Sequence, residues 1–363
     1  MNSLQILPLQ DWGFNFTRPL FISGPCSCES EDQMMETALR LSDKGIHLLR
    51  AGIWKPRTRP GMFEGIGKDG LSWLVNAGKQ TNKPTCVEVA TVQHVEDALE
   101  AGIDILWIGA RTTVNPFFVQ EIASALKGVD IPVLVKNPIN PDLQLWLGSM
   151  ERLNAAGITK LGAIHRGFSV YEKSSYRNLP MWEIPIELRR LYPQMPIIVD
   201  PSHICGSRDL IYSVSQKALD LDFDGLMIES HRDPDNAWSD SDQQLTPEQL
   251  GEIIASLVVR SSAVDTMFGN ELDIWRAQID RIDNYMLEIM ADRMGIARKI
   301  GAFKRDNGIT ILQTNRWDEI FRDRISKATE KELTVDFIRE LMEAIHQESI
   351  RHQTKIMNNI LAD

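Results

Sequence analysis

Two chemical kinds of side chain gather near the ends of apolar runs in this chain. Arg50, Lys55, Arg57, Arg111, Lys136 and Arg166 are cations, enough to hold one or two phosphorylated, carboxylated substrates. Arg offers a planar fork for bidentate contact, and Lys a compact point charge. Cys26, His203, Glu229 and Asp240 are metal-ligand types. One thiolate, one imidazole and two carboxylates suit a divalent transition metal of mixed preference. The densest cation group is Lys55-Pro56-Arg57-Thr58-Arg59, which follows the apolar start of Leu48–Arg59. Pro56 fixes its own φ and biases Lys55 towards an extended backbone, so the flanking side chains are held less loosely. A solvated basic loop is the plain alternative for that stretch taken alone, and a structural ion pair is the alternative for any single residue. A full ring of strand-end ions is hard to explain either way.

The elements that must position these residues are β-rich runs, each followed by an amphipathic segment. The runs are Pro19–Gly24, His47–Gly52, Thr85–Ala90, Ile105–Ala110, Pro132–Asn137, Lys160–Arg166, Pro196–Asp200 and Gly225–Ser230. Near-continuous apolar strands are those of a parallel sheet buried on both faces. Eight β-then-α units in about 250 residues predict an α/β chain with a (β/α)8 TIM barrel, whose strands all end at one mouth. An open doubly wound sheet is the alternative fold, but no G-x-G-x-x-G follows the first run.

The character changes after Pro247, and no proline occurs from Glu248 to Asp363. We divide the chain into a barrel at 1–261, a linker at 262–270 containing Gly269-Asn270, and an all-helical domain at 271–363. Apolar residues at three-four spacing, among them Trp275, Ile279, Ile282, Met286, Ile289, Ile296, Ile300 and Phe303, predict a long first helix. The plain meaning of such a stripe is a core face or a coiled-coil seam. Arg293 interrupts it, and an unpaired buried charge is costly. Either Arg293 sets helix register or it faces an internal anion site that Arg276, Lys304 and Arg316 could join. In the last helix, from Val335, Ser349 and Gln353 fall near the apolar face.

Composition narrows the partners. A net charge of -11 over 363 residues argues against a general nucleic-acid or anionic-membrane partner. No run has the length of a membrane span and no secretory leader is visible, so a cytoplasmic protein is expected. Cys26, Cys28, Cys86 and Cys205 form no C-x-x-C pair, and the default for each is a buried reduced thiol.

The runs Gly24-Pro25-Cys26-Ser27, Lys55-Pro56-Arg57-Thr58, Ile108-Gly109-Ala110-Arg111, Val135-Lys136-Asn137, Asp200-Pro201-Ser202-His203 and Ser239-Asp240-Ser241-Asp242-Gln243-Gln244 resemble 3-deoxy-D-arabino-heptulosonate 7-phosphate (DAHP) synthase. The resemblance is to the compact form related to 3-deoxy-D-manno-octulosonate 8-phosphate synthase. It implies condensation of phosphoenolpyruvate with erythrose 4-phosphate. By it, Cys26, His203, Glu229 and Asp240 ligate a divalent metal, Mn2+ first, with Fe2+, Co2+ or Zn2+ as alternatives. Arg50, Lys55, Arg111, Lys136 and Arg166 would hold phosphoenolpyruvate, with Lys55 also catalytic. Arg57 and Thr58 would contact the erythrose phosphate. The octulosonate enzymes usually carry Lys-Ala-Asn-Arg-Thr where this chain has Lys-Pro-Arg-Thr, which favours the four-carbon acceptor.

The helical part, about 270–357, resembles the all-helical chorismate mutases, which rearrange chorismate to prephenate. That resemblance implies binding by Arg276, Arg293, Lys304, Arg316, Ser349 and Gln353, with Arg293, Lys304 and Gln353 catalytic. It also implies an intertwined homodimer in which one arginine comes from the partner subunit. Gln313 and Trp317 stand where many members have acidic residues. The expected protein is a bifunctional enzyme whose helical domain feeds prephenate or chorismate inhibition back to the barrel. The alternatives are a synthase with an inert helical sensor or dimerisation module, and an octulosonate 8-phosphate synthase with a helical tail.

Overall fold

The computed structural model describes residues 4–55, 61, 63–171, 174–260, 266–312 and 314–358, without the side chains of 266–271 and 314–321. It divides into two units, Met1–Ser262 and Ala263–Asp363.

In the first unit eight parallel strands close into a barrel in sequence order, with β1 paired to both β2 and β8. The strands are β1 (Leu20–Gly24), β2 (Leu48–Ala51), β3 (Thr85–Val89), β4 (Ile105–Ile108), β5 (Val133–Lys136), β6 (Leu161–His165), β7 (Ile197–Val199) and β8 (Gly225–Glu229). Each lies inside its expected run and is shorter by a residue or two at one or both ends, where the backbone leaves the ladder. The outer helices are α1 (Glu31–Leu41), α2 (Asp69–Thr81), α3 (Val92–Ala101), α4 (Ala110–Thr113), α5 (Pro116–Ala125), α6 (Leu143–Ala155), α7 (Glu183–Leu191), α8 (Pro201–Cys205), α9 (Ile211–Asp220) and α10 (Pro247–Ser256). Side-chain oxygens of Ser30, Thr91 and Asp142 accept from backbone N–H groups at the starts of α1, α3 and α6. Thr246 and Gln249 form a reciprocal capping box on α10.

The barrel interior is a small packed cluster that includes Leu20, Ile22, Leu48, Cys86, Ile105, Trp107, Leu134, Ile164, Ile198 and Met227. Trp12 closes its lower end, and Gly162 makes room for that indole. A Cβ on Gly162 would lie 2.8 Å from Leu134 Cδ2 and 3.1 Å from Trp12 Cη2. The larger core lies between strands and helices, built from residues such as Leu49, Val87, Leu106, Val135, Ala163 and Val199.

The two-residue side-chain period places the chemistry. Arg50 is two residues beyond Leu48, Glu88 beyond Cys86, Lys136 beyond Leu134, Arg166 beyond Ile164, Asp200 beyond Ile198 and Glu229 beyond Met227. Each continues an inward-facing column one layer above the apolar plug, at the C-terminal rim.

The second unit contains α11 (Thr266–Asp306), α12 (Thr314–Thr329) and α13 (Val335–Met357), the last capped by Thr334. The stretch expected as a linker is therefore helical from Thr266, with Gly269-Asn270 inside the first turns. Their propensity cost, about 1 kcal/mol for the glycine, is small for a helix of 41 residues. The C-terminal part of α11 packs against α13, where Met294, Ala297 and Ser349 are buried. A Cβ on Gly301 would lie 3.0 Å from Gln353 Cα, so this glycine permits the close approach of the two helices. The N-terminal part of α11 differs. From 273 to 289 every residue is exposed, including Trp275, Ile279, Ile282 and Met286 of the apolar stripe. Within one protomer that part of the stripe is not a core.

Candidate active sites in the barrel and the helical unit

At the barrel mouth, Cys26 follows β1 and lies against Asp240 of the loop after β8, with Sγ 3.2 Å from Oδ2. Lys55 Nζ is 2.8 Å from the same sulfur and 3.0 Å from the Cys26 carbonyl oxygen. Arg50 Nη1 donates to Glu229 Oε1 at 2.9 Å, and its Nη2 to the Cys26 carbonyl at 3.3 Å. Lys136 Nζ donates to Asp200 Oδ2 at 2.7 Å. Asp200 is also the N-cap of α8, accepting from the His203 N–H at 3.0 Å, and Pro201 sits at the first helical position. That cap fixes the His203 ring, whose Nδ1 is 2.9 Å from Asp200 Oδ2 and 3.9 Å from Glu229 Oε1. Arg166 Nη1 donates to Asn178 Oδ1 at 2.7 Å. Arg111 is on α4, with its residue surface exposed. Arg57 and Thr58 lie outside the described residues.

Several residues that sequence reasoning did not single out complete the arrangement. Arg177, from the loop before α7, donates to Asp240 Oδ1 at 2.9 Å and Gln243 Oε1 at 2.7 Å. Gln243 Nε2 donates to Glu229 Oε2 at 2.6 Å, so these two side chains tie Asp240 to Glu229. Gln244 Oε1 accepts from the Cys26 N–H at 2.8 Å. The Gln243-Gln244 dipeptide lies within the Ser239–Gln244 run and was the available signal; for Arg177 there was none.

Burial and neighbouring charge shift the ionisable groups of the mouth. Burial pushes the Arg166 guanidinium down to about 10, with Arg177 and Arg111 adding to the effect against the opposing pull of Asp200. Burial also opposes the Lys55 ammonium, but Cys26, Glu229 and Asp240 hold its pKa above the ordinary value. Against burial, Lys55, Arg177 and His203 keep Asp240 well below the usual carboxylate range. Burial, aided by Glu229, pushes the Cys26 thiol up to about 12. A guanidinium weakened chiefly by burial, and further by neighbouring cations, is favoured by an added anion.

The expected metal donors match a transition metal in kind. Cys26 and Asp240 stand in contact, while Glu229 lies 3.9 Å from His203 Nδ1, the nitrogen already engaged by Asp200. Among the described residues no three donors converge closely enough to enclose an ion as they stand. The His203 ring has its Nδ1 engaged by a carboxylate, which directs Nε2 to the opposite side, the usual support of a ligating imidazole. Of the four cysteines, all are free and buried.

In the helical unit, Arg293 Nη1 on α11 donates to Ser349 Oγ on α13 at 2.5 Å. Lys304 Nζ donates to the Ile311 carbonyl at 2.5 Å. Gln353 Oε1 is buried and has no hydrogen-bond partner among the described residues. Burial lowers the Arg293 pKa, and the nearby Arg324 lowers it further. Arg276 is exposed and pairs with Asp273 at 3.2 Å. It lies 17 residues before Arg293, about 25 Å along a helix at ~1.5 Å per residue. Arg276 and Arg293 of one protomer therefore do not share one small pocket. The Arg316 and Trp317 side chains, and Gln313, lie outside the described residues.

The profile of the DAHP synthetase I family matches residues 15–264. The chain belongs to the DAHP synthetase I family. A second profile, chorismate mutase type II, matches residues 275–354. The phospho-2-dehydro-3-deoxyheptonate aldolase of Thermotoga maritima is 34% identical over 236 residues, 65% of this chain and 68% of the relative. The 2-dehydro-3-deoxyphosphooctonate aldolase of Desulfotalea psychrophila is 28% identical over 265 residues, 68% of this chain and 91% of that protein. A solved structure of the Thermotoga maritima DAHP synthase superposes with a TM-score of 0.62 at 31% identity, covering 69% of this chain and 72% of the other. A truncated form of that enzyme gives 0.59 at 30% identity, covering 69% and 89%. The family membership agrees with the closed parallel barrel. Among the described residues no helix is long and apolar enough to cross a membrane.

Proposed function

We propose that this chain is a bifunctional enzyme of aromatic amino-acid synthesis. The barrel condenses phosphoenolpyruvate with erythrose 4-phosphate to DAHP and phosphate, and the helical unit rearranges chorismate to prephenate. The observation that carries this reading is the succession of the two family matches along one chain, residues 15–264 and then 275–354.

In the barrel, Arg50, Lys55, Lys136 and Arg166, with Arg111 at the rim, bind and orient phosphoenolpyruvate. Their pre-placed charge lowers the cost of gathering two anionic substrates. The enol carbon attacks the aldehyde of the four-carbon sugar, water adds at the resulting cationic carbon, and phosphate leaves. Lys55, with its remaining donor capacity beside Cys26, orients groups at the reacting end. Arg57 and Thr58 receive the acceptor's phosphate. Cys26, His203, Glu229 and Asp240 hold a divalent cation, with Mn2+ as our first choice and Fe2+, Co2+ and Zn2+ as alternatives. When bound, that ion polarises the acceptor aldehyde. The Lys55-Pro56-Arg57-Thr58 run favours erythrose 4-phosphate over arabinose 5-phosphate, and turnover of the pentose phosphate alone would refute that choice.

In the helical unit, Arg293, Arg276 and Arg316 engage the two carboxylates of chorismate, and Ser349 aligns Arg293. Lys304 and Gln353 face the ether oxygen as its bond breaks. The reaction is unimolecular, so an oriented cationic pocket suffices. The separation of Arg276 from Arg293 supports a homodimer in which the partner subunit completes each pocket. The exposed apolar stripe of α11 supports the same assembly. We also propose that prephenate or chorismate bound at this unit inhibits the barrel. Removing 263–363 should then abolish prephenate sensitivity; equal insensitivity of the full chain and the shortened one would refute it.

A chelator tests the main reading on the intact protein. It should abolish DAHP formation and leave the mutase unchanged. Loss of both activities, or of neither, contradicts the assignment.

A further inference from the structure

An indole stands among the cations of the barrel mouth. Trp107, on β4, is fully buried in the interior cluster, in register with Glu88 of the rim on one side and with Leu134 of the apolar plug on the other. The Arg50 guanidinium lies over its ring at 4.9 Å from the centroid, and Lys136 Nζ at 5.8 Å. Both cations are themselves buried, at 2% and 4% exposure, so water does not screen either contact. Arg50 Nε is buried and has no nitrogen or oxygen partner among the described residues. Its other two nitrogens are engaged by Glu229 and the Cys26 carbonyl, and the indole is the aromatic face within cation–π range of the guanidinium carbon. The indole is itself fixed: Nε1–H donates to Glu88 Oε2 at 3.0 Å.

We propose that Trp107 is a positioning residue for phosphoenolpyruvate, a cation–π platform shared by Arg50 and Lys136. Burial penalises the charge of each cation. Asp200 and Glu229 neutralise them from the sides. Trp107 supplies negative potential from its ring face without accepting a conventional hydrogen bond, so Lys136 keeps donors for an incoming anion. An aliphatic or amide side chain gives no such potential. Leucine or glutamine at this position therefore removes the aromatic face from both cations.

The inference rests on the assignment of Arg50 and Lys136 to phosphoenolpyruvate. Trp107 in the full-length chain is replaced singly with 5-fluoro-, 5,6-difluoro- and 4,5,6,7-tetrafluorotryptophan, which preserve shape while draining the ring face. Phosphoenolpyruvate is titrated into each protein by calorimetry. Affinity should fall stepwise with fluorine number, roughly tenfold across the series. Fluorination also strengthens the N–H donor towards Glu88, so a decline reports the ring face rather than that hydrogen bond. Trp107→Phe should bind less tightly than the parent and more tightly than Trp107→Leu. Binding that stays flat across the fluorine series overturns the platform alone. No binding to the unmodified chain overturns both the platform and the assignment beneath it.

Discussion

Asp200 Oδ2 receives Lys136 Nζ at 2.7 Å and lies 2.9 Å from His203 Nδ1, so one carboxylate oxygen serves a proposed substrate cation and a proposed metal ligand. Its pKa is held well below the ordinary carboxylate value by His203 and Lys136, against burial. The substitution Asp200→Asn keeps the shape and removes the charge. It should weaken divalent-metal affinity by about 10–100-fold and loosen phosphoenolpyruvate binding as well. Equilibrium dialysis with Mn2+ measures the first; unchanged affinity would show that the His203 ring needs no such support.

His165 gives a pH test away from the reaction. Its ring lies against Phe168 and Trp182, and burial pushes it down to about 3 from 6.5. As pH falls below 6.5 the unfolded chain takes up this proton first. Stability from this group is complete above that pH and is lost progressively towards 3. By pH 5 the loss should approach ~2 kcal/mol. His165→Phe should flatten that part of the stability–pH curve in urea denaturation, and an unaltered slope would exclude the ring as its source.

Arg293→Ala should lower mutase kcat/KM by about 10²–10³-fold while DAHP formation is unchanged. Ser349→Ala should act in the same direction, more weakly, because it aligns Arg293 through a single hydrogen bond. Steady-state assays of both activities on the same preparations check this. Equal loss of both activities would point to misfolding instead.

The exposed stripe on α11 predicts its own disruption. Ile282 is 59% exposed and Met286 45% in the single protomer. The double change Ile282→Glu, Met286→Glu places like charges in the proposed dimer seam. The protein should sediment as a smaller species, and the mutase should fall by about 10²-fold through loss of the partner's Arg276. An unchanged sedimentation coefficient would remove this face from the dimer contact.

Much of this architecture was legible before any coordinates. The strands were visible because parallel strands buried on both faces leave unbroken apolar runs. The rim residues were visible because an ion closing an otherwise apolar run must be paired or bound rather than simply packed. Trp107 was not, since an indole inside an apolar strand reads as packing, and its relation to Arg50 and Lys136 comes from three different strands. Arg177 was hidden for another reason: a loop carries it to Asp240, and no periodicity governs that loop. On α11 the stripe was legible but its partner was not. Periodicity shows that a face needs covering, and the exposure of 273–289 shows that this protomer does not cover it. Gly269-Asn270 looked like a break because local propensity favours one there, yet the helix runs through it.

The Cys26–Asp240 contact joins residues 214 positions apart, across the seam where β8 meets β1. On a ribosome adding ~5–20 residues per second, Asp240 follows Cys26 by about 10–40 s. During that interval the thiol has no strand on its open side and no carboxylate beside it. Its protection from oxidants, and any cation it helps to hold, therefore come only after the last strand docks. For this barrel, synthesis under oxidising conditions is a hazard of timing, confined to the period before the ring of strands is complete.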